Sequence, residues 1–333
     1  MPLEIIDDAD LSSHLSLRLS ARVERLIRVH HPAELPEARQ ALRGPFRGIL
    51  GQGTNSVLGS SIRGTLVQPA WQGLSRLDDL RIEAGAGLAW DDLVAWSLGQ
   101  ELYGLENLSM IPGSVGAAPV QNIGAYGVEL ADCLESLDAL DWESGSMRRF
   151  EHADCGFAYR DSVFRKSGAG HWVILRLRLR LRREGVRLSH PDLAAAFAHH
   201  PQASALEVAE AVRSIRSRKL PDPGDHPNVG SFFHNPLVPP EEAMKLLRQE
   251  PKLVHAVDST GKVKLSAAWM IERCGLKGMR QGNVGVSGQH ALVLVNYSAA
   301  TGEELIAFAE QVRTAVHERF GLRLSIEPRV MLD

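Results

Sequence analysis

Length, composition and charge restrict the class of protein. The chain has 333 residues, of which 44% are hydrophobic and 23% are charged, and these values are typical of a globular protein with two domains. Its formal net charge of -3 gives no overall attraction to nucleic acid or to an anionic membrane. We therefore expect no nucleic-acid partner and no membrane partner.

The cysteines and histidines indicate neither a disulfide framework nor a metal site. Cys133, Cys155 and Cys274 are odd in number and far apart, and the thirteen histidines include no HExxH or other ligand-spaced set. The acidic start of the chain lacks the basic and apolar regions of a signal peptide, and no apolar run reaches the length of a membrane span. These features predict a cytoplasmic protein without a bound metal.

The first 70 residues predict a βαβ-like opening. Strands are expected over residues 22–29, 49–50 and 66–68, with a helix over 36–42. The loop after the second strand, residues 51–56, reads GQGTNS and offers N–H and hydroxyl donors that suit a phosphate. It lacks the lysine of a Walker A loop and the third glycine of a Rossmann turn, so neither nucleotide fingerprint is met.

A further set of elements follows this opening. The patterns predict a strand over residues 81–84, a helix over 90–102 and strands over 134–142 and 172–182. In the last strand, leucines alternate with arginines from residue 175 to residue 182. One interpretation of the arginine stripe is a face that binds nucleic acid. Strict alternation is more typical of the solvated side of a sheet.

The second half of the chain predicts a linker and then mixed helices and strands. The segment 190–204 is rich in alanine and histidine, so a domain boundary is expected between residues 183 and 206. The later elements are helices over 206–218, 241–247, 267–274 and 303–320, and strands over 291–296 and up to residue 330. The first of these helices ends in cations that either complement its dipole or bind a pyrophosphate: Arg213, Arg216, Arg218 and Lys219.

Two segments combine small or polar residues in patterns with more than one interpretation. Residues 111–129, IPGSVGAAPVQNIGAYGVE, form either a cradle for a ligand or a tightly packed backbone. Ser231, between Gly230 and two phenylalanines, presents its hydroxyl in a dry pocket or begins a turn or helix. The segment 285–289, GVSGQ, lacks the final glycine of a nucleophile elbow, so acyl transfer is not expected.

Six motifs, in order along the chain, resemble those of the UDP-N-acetylenolpyruvoylglucosamine reductase family. The second and fifth are specific to that family, whereas the first by itself is not. The motifs are LGQGTNSVL (50–58), GLENLSMIPGSVGAAPVQNIGAYGVEL (104–130), CGFAYRDSVFR (155–165), RKLPDP (218–223), NVGSFFHNP (228–236) and KLSAAWMIERCGLKG (264–278).

The resemblance implies an α+β fold. Residues 1–190 would form a two-part FAD-binding domain of the vanillyl-alcohol-oxidase type, with subdomains over 1–68 and 69–190, and residues 205–333 a C-terminal α/β substrate-binding domain. It also implies that hydride passes from NADPH to FAD and on to the vinyl carbon of UDP-N-acetylglucosamine enolpyruvate. The product, UDP-N-acetylmuramate, is a peptidoglycan precursor, which connects the activity to cell-wall synthesis, cell shape, the cell cycle and division. We expect a monomer.

The resemblance also implies roles for individual residues. Ser231 matches the family's proton donor, Arg160 the arginine that holds the substrate carboxylate, and Glu327 the glutamate that stabilises the enolic intermediate. A serine is a weak acid, so it must act in a site without water, which Phe232 and Phe233 can provide. FAD contacts are implied for Gly51, Gly53, Thr54, Asn55, Ser56, Pro112, Gly113, Ser114, Ala117, Asn122, Gly124 and Ala125. Substrate contacts are implied for Tyr126, His190, Arg216, Lys219 and Asn235.

Two positions depart from the family pattern. Gln52 stands where some members carry an acidic residue, and His190 stands where the longer-chain members have a tyrosine that closes over the substrate diphosphate. Ser287 and His290 agree with one of the family's two variants of the VSxxHA segment. The alternatives are a flavoprotein of the same fold with another enol or nucleotide-sugar substrate, and a non-catalytic binding protein. The joint presence of the three catalytic positions favours an enzyme.

Overall fold

The computed structural model describes residues 3–166, 171–258 and 260–332, and its chain divides into two compact units. The first unit consists of Met1–Ala9, Val23–Gln52 and Arg63–Arg216. The second unit consists of Asp10–Arg22, Gly53–Ile62 and Ser217–Asp333. This division falls at residues 216 and 217, after the expected boundary between residues 183 and 206. The assignment of separate functions to residues 1–190 and 205–333 stays a prediction.

The described residues form α-helices and β-strands of two to nineteen residues. The helices are α1 Leu35–Gln40, α2 Trp90–Gly99, α3 Val163–Lys166, α4 Pro191–Ala196, α5 Ala205–Lys219, α6 Pro240–Gln249, α7 Ala267–Arg273 and α8 Gly302–Phe320. The strands are β1 Glu4–Asp10, β2 Arg22–Val29, β3 Phe46–Ile49, β4 Ser56–Leu58, β5 Ser61–Pro69, β6 Leu74–Arg76, β7 Arg81–Gly85, β8 Gly124–Ala125, β9 Val128–Glu129, β10 Leu134–Asp141, β11 Met147–Glu151, β12 Trp172–Arg180, β13 Leu237–Val238, β14 His255–Val257, β15 Val263–Leu265, β16 Arg280–Gln281, β17 Val284–Val286, β18 Leu294–Asn296 and β19 Arg329–Met331.

Two larger sheets organise the first part of the chain. One has the strand order β1-β2-β5-β3, in which β5, the third strand of the predicted opening, lies between β2 and β3 and runs parallel to β3. The other has the order β11-β10-β12-β7-β6 with antiparallel pairs. Leu177 and Leu179 on β12 pack with α2 in one cluster, whereas Val173 and Leu175 pack in another, because a register shift between Asp138 and Ala139 of β10 changes the face that β12 presents at this point.

The second unit is built from small sheets and three helices. Its sheets are β13-β15-β14, β16-β17-β18 and the parallel pair β19-β4. The long helix α8 begins with a capping box, in which the Thr301 side chain accepts from the Glu304 N–H and the Glu304 carboxylate accepts from the Thr301 N–H. It ends at Gly321, whose φ of 70° is the left-handed conformation that glycine adopts at helix ends.

Most of the predicted elements are confirmed. β2 has the predicted limits, and β5, β7, β10, β12, β18, β19, α1, α2, α5, α6, α7 and α8 overlap their predicted ranges. The interpretation of residues 190–204 as a linker is wrong, because residues 191–196 form α4 and Leu193 is fully buried. The sequence did not indicate β1 or β11, whose apolar residues are too sparse to give a clear period.

Candidate active site

The glycine-rich stretch, residues 111–129, contains glycines that close packing requires and others for which packing is not the only explanation. A Cβ atom on Gly116 would lie 2.6 Å from the Cβ of Ala86, so packing alone explains this glycine. A Cβ atom on Gly51 would lie 3.0 Å from the Ser114 hydroxyl and 3.4 Å from the Cβ of Ala117. The first part of the predicted phosphate loop therefore meets the glycine-rich stretch inside the first unit.

This meeting point fits a diphosphate. The N–H groups of Val115 and Gly116 bond to the carbonyls of Leu88 and Ala86. Among the residues that the structure describes, by contrast, the N–H groups of Gly51 and Ser114 have no protein acceptor. Neighbouring backbone N–H groups and a serine hydroxyl are the donors that phosphate oxygens require.

The rest of the predicted phosphate loop belongs to the second unit. Gly53 has a φ of 65°, and a Cβ atom there would lie 2.2 Å from the carbonyl oxygen of His14, so both packing and conformation require glycine. The Asn55 carbonyl accepts from the Arg329 N–H at 3.0 Å. Thr54 and Ser56 are half-buried, and Ser56 begins β4.

The other residues predicted to contact FAD differ in their exposure and in how far their polar groups are already hydrogen-bonded within the protein. Pro112 and Ala117 are exposed, and the backbone of Gly113 has a φ of 118°. Asn122 is buried, and its amide is fully used: it donates to Glu129 and to the Ala158 carbonyl and accepts from the Ala131 N–H. Its main-chain N–H also donates to the Pro119 carbonyl, and the role of Asn122 as a cofactor contact stays a prediction.

Two predicted substrate contacts in the first unit have strained backbones. Tyr126 has a φ of 49° and Arg160 a φ of 53°, a region that large side chains rarely adopt. The Arg160 guanidinium donates to the Gly124 carbonyl at 2.6 Å, while the buried amide of Asn107 donates to the carbonyls of Tyr126 and Arg187 at 2.8 and 2.9 Å. These hydrogen bonds hold the strained residues in place. The sequence analysis did not single out Asn107, although it lies in the GLENLSMIPG motif.

A second arginine lies near these residues. Burial lowers the pKa of Arg216, Tyr126 and Asp91 oppose that effect, and the charge of Arg160 adds to it. The Nε atom of Arg216 is buried and has no hydrogen-bond partner among the described residues. One turn earlier on α5, Arg213 forms a bidentate ion pair with Asp91 at 2.7 Å, which anchors the helix. The unpartnered Nε of the Arg216 guanidinium is suited to binding an anionic group.

His190 has a structural role in addition to its predicted one. It precedes α4, and its Nδ1 accepts from the Asp192 N–H at 3.3 Å, so it caps that helix. Its ring meets the ring of Tyr126 edge-on, with centroids 5.0 Å apart. Burial raises the pKa of Tyr126, so its hydroxyl stays protonated at neutral pH. The structure thus brings His190 next to another predicted substrate contact.

Ser231 lies on an extended segment of the second unit. The buried Asn228 accepts from the Gly230 N–H at 2.8 Å and forms the turn before it, and Ser231 then pairs with Val293 as a β-bridge. Because Ser231 begins no helix, the N-cap interpretation is wrong. Ser231 is half-buried, whereas Phe232 and Phe233 are 0% and 1% exposed, as expected for residues that exclude water.

Glu327 lies on a segment that pairs with this one. Phe233 forms a β-bridge with Ile326, and the Glu327 N–H donates to the Phe232 carbonyl at 3.0 Å. The carboxylate of Glu327 lies 3.5 Å from Nδ1 of His234, a residue that the sequence analysis did not single out. Ser231 and Glu327 therefore lie on hydrogen-bonded neighbouring segments, although 96 residues separate them in sequence.

The remaining predicted residues of the second unit are less closely grouped. The Asn235 side chain accepts from the Ala267 N–H at 2.9 Å, at the start of α7. Lys219 is exposed at the end of α5. Burial lowers the pKa of His290, as do Lys219 and Lys277, and its Nδ1 accepts from the Leu292 N–H. The Ser287 hydroxyl accepts from the N–H groups of residues 289 and 290, so it stabilises the turn over residues 287–290.

Neither metal ligands nor membrane helices were found in the described part of the chain. No group of three or more His, Cys, Asp or Glu residues there could hold a metal ion. Burial raises the pKa of Cys133 and of Cys155 to about 12, so both thiols stay protonated at neutral pH. Over the same residues, none of the helices has the length and apolar character that a bilayer span needs.

Similarity to known proteins places the chain among the flavoprotein oxidoreductases. A family model described as an FAD binding domain matches residues 25–151, and one described as the C-terminal domain of UDP-N-acetylenolpyruvoylglucosamine reductase matches residues 222–331. The protein of that name from Azoarcus sp. (strain BH72) is 43% identical over 98% of both chains, and that from Pseudomonas aeruginosa is 42% identical over 99% of this chain and 100% of its own. The chain belongs to the UDP-N-acetylenolpyruvoylglucosamine reductase family.

A solved structure confirms the fold. The crystal structure of UDP-N-acetylenolpyruvylglucosamine reductase from Thermus caldophilus matches with a TM-score of 0.70 and 24% sequence identity, and the match covers 99% of each chain. The predicted α+β architecture, with an FAD-binding domain followed by a C-terminal domain, is confirmed. The predicted family is confirmed as well. The roles of individual residues stay predictions.

Proposed function

We propose that this protein uses NADPH and FAD to reduce UDP-N-acetylglucosamine enolpyruvate to UDP-N-acetylmuramate. The observation that carries the proposal is the pairing of the Ser231 segment with the Glu327 segment, next to two fully buried phenylalanines. A half-buried hydroxyl beside a carboxylate-bearing segment is suited to donating a proton where water is excluded. The names of the full-length relatives support the same substrate.

Binding of FAD in this proposal uses the donors near Gly51 and Ser114. FAD, when bound, would supply hydride transfer from NADPH to the vinyl carbon of the substrate. The unpartnered N–H groups at these two residues support a role in holding its diphosphate. The remaining proposed contacts are Gly53, Thr54, Asn55, Ser56, Pro112, Gly113, Ala117, Asn122, Gly124 and Ala125.

The proposed chemical step is a proton transfer at the carbon next to the one that receives the hydride. Hydride addition to the terminal vinyl carbon leaves an enolic, carbanion-like centre beside the substrate carboxylate. Arg160 binds that carboxylate and disperses its charge, and Glu327 stabilises the enolic form. Ser231 then donates its hydroxyl proton to the neighbouring carbon, which completes the reduction of the double bond.

Several cations and aromatic groups support binding of a nucleotide-sugar diphosphate. Arg216 offers an unpartnered Nε and lies close to Tyr126, which contacts His190. Lys219 and Asn235 complete the proposed set of substrate contacts. We further propose that the protein acts as a cytoplasmic monomer in peptidoglycan precursor synthesis, and thereby in cell shape, the cell cycle and division.

The proton-donor role is tested with Ser231→Ala. Reduction of the bound flavin by NADPH should proceed at the wild-type rate, whereas flavin reoxidation by the enolpyruvyl sugar should slow by about 100-fold or more, as expected for loss of a general acid. Stopped-flow absorbance separates the two half-reactions. Ser298→Ala, an exposed serine in the same unit, serves as the control. Normal reoxidation in Ser231→Ala would contradict the assignment.

The substrate is tested by NADPH oxidation with and without UDP-N-acetylglucosamine enolpyruvate. The proposal expects a yellow protein whose NADPH oxidation depends on this substrate. A yellow protein that ignores it would indicate a flavoprotein with another enol or nucleotide-sugar substrate. A protein that binds flavin or nucleotide sugar without turnover would be the non-catalytic alternative.

A further inference from the structure

His234 lies directly against the proposed catalytic carboxylate. Its Nδ1 is 3.5 Å from Oε2 of Glu327, and the two side chains are only 16% and 15% exposed. Both the charged ring and the neutral ring protonated at Nδ1 can donate a hydrogen toward this oxygen. At 3.5 Å the contact is longer than a usual N–H···O hydrogen bond, so it is a close electrostatic contact between the imidazole and a carboxylate that is largely removed from water.

The backbone determines this contact. Phe233 pairs with Ile326 in an antiparallel bridge, so residues 232 and 327 stand opposite each other, as do residues 234 and 325. The hydrogen bonds from His234 N–H to Ser325 and from Glu327 N–H to Phe232 fix both residues in that register. Residues 234 and 327 are then diagonal neighbours across the pair, a position from which long side chains reach one another.

Glu327 requires such a neighbour for physical reasons. An ionised carboxylate that is mostly buried loses hydration, and a charged or hydrogen-bonding partner must replace it. Asp91, whose side chain is 35% exposed, is held by an arginine that donates two hydrogen bonds. An imidazole offers a carboxylate one nitrogen rather than a bidentate fork, so it holds the carboxylate less rigidly than an arginine does.

We propose that His234 is a positioning residue that holds the Glu327 carboxylate, charged and oriented, for stabilisation of the enolic intermediate. This inference rests on the proposed function, because it assigns His234 a role through Glu327. It predicts that His234 affects the half-reaction in which the substrate is reduced and has no effect on the half-reaction in which NADPH reduces the flavin. His234 itself contacts neither the cofactor nor the reacting carbon in this role.

The test compares His234→Leu, which removes the donor, with His234→Asn, whose amide nitrogen stands near the position of Nδ1. Flavin reoxidation by the enolpyruvyl sugar should slow about tenfold in His234→Leu and by no more than about threefold in His234→Asn. KM for the sugar, flavin content and reduction by NADPH should stay at wild-type values. His317→Leu, an exposed histidine on α8, is the matched control.

A double-mutant cycle decides whether His234 acts through Glu327. Adding His234→Leu to Glu327→Gln should slow reoxidation no further than Glu327→Gln alone, because the group being positioned is already lost. Full additivity of the two effects, or wild-type reoxidation in His234→Leu, would overturn the inference. Absence of sugar-dependent reoxidation in the wild type would overturn the proposed function instead. The same cycle, measured as free energies of unfolding in urea, reports the contact between His234 and Glu327 independently of activity. Additive effects of the two substitutions on the free energy of unfolding would also contradict the inference.

Discussion

At the scale of single residues, one buried amide holds the segments around residues 126 and 187 of the first unit. Asn107 is fully buried, and its two N–H donors bond to the carbonyls of Tyr126 and Arg187. The first bond supports a tyrosine with a strained backbone, and the second ties down the segment that leads to His190. The Oδ1 atom of Asn107 has no hydrogen-bond partner among the described residues. The two bonds from its amide nitrogen therefore form at the cost of burying this acceptor without a hydrogen bond.

Replacing this amide should destabilise the protein. Asn107→Ala leaves two carbonyls without donors and should lower the free energy of unfolding by about 1–3 kcal/mol. Asn107→Asp keeps the size of the side chain but replaces both donors with acceptors, so it should be at least as unstable. Urea denaturation checks both values. If Asn107→Asp were as stable as the wild type, the two hydrogen bonds would not contribute.

At the scale of elements, the arginine stripe of β12 is the ion-paired outer side of a sheet. Arg178 forms a bidentate pair with Asp138 on β10 and contacts Glu83 on β7, and Arg176 also bonds to Glu83. Leucines occupy the alternate, buried positions. The stripe is therefore a polar face whose charges are matched across neighbouring strands, and Arg178 at its centre is only 15% exposed rather than fully solvated.

Asp138 makes the stability of this sheet depend on pH. Burial alone would raise the pKa of Asp138, but hydrogen bonds from Arg178 and Arg149 outweigh burial and hold the pKa below its usual range. A carboxyl whose pKa is lower in the folded state stabilises the fold above its unfolded-state pKa, and this contribution is lost as the pH falls through the folded-state pKa.

Asp138→Asn should therefore have a pH-dependent effect. At pH 7 it should lower the free energy of unfolding by about 1–3 kcal/mol, because a neutral amide cannot accept the same charge-assisted bonds. Measured by urea denaturation, the difference from the wild type should shrink below about pH 4. Asp79→Asn is the control, since that side chain is 95% exposed in its pair with Arg76. A difference that stays constant down to pH 3 would contradict the prediction.

At the scale of the whole molecule, the second unit includes two segments from the beginning of the chain. β4 pairs in parallel with β19, near the end of the chain. The Asn296 side chain donates to the carbonyls of Leu17 and Arg18, and a Cβ atom on Gly302 would lie 2.1 Å from the carbonyl oxygen of Leu58. Residues 10–22 and 53–62 are therefore structural parts of this unit.

A fragment of residues 217–333 should not fold by itself. Without the two early segments it exposes the edge of β19 and leaves Asn296 and the start of α8 without their packing partners. We expect little dispersion of its amide NMR signals and no cooperative thermal unfolding. The full chain is the reference for both measurements. Cooperative unfolding of the fragment would show that the C-terminal residues form an autonomous domain.

Local patterns in the sequence were sufficient to predict β2, α5 and α8, because apolar spacing and capping residues within one element determine its type. The family and fold followed from motifs with a specific order. The sequence did not indicate α4, whose alanine-rich segment has no clear period and folds because Leu193 is buried against α5.

The partners of the site residues were decided by the tertiary structure alone. The sequence identified Tyr126, Ser231 and Glu327 as single positions, but not Asn107 and His234, which lie against two of them. A hydrogen bond between residues 107 and 126, or a contact between residues 234 and 327, depends on strands and turns that come together only when distant segments pair. Periodicity extends over one element, whereas such contacts depend on the register between elements.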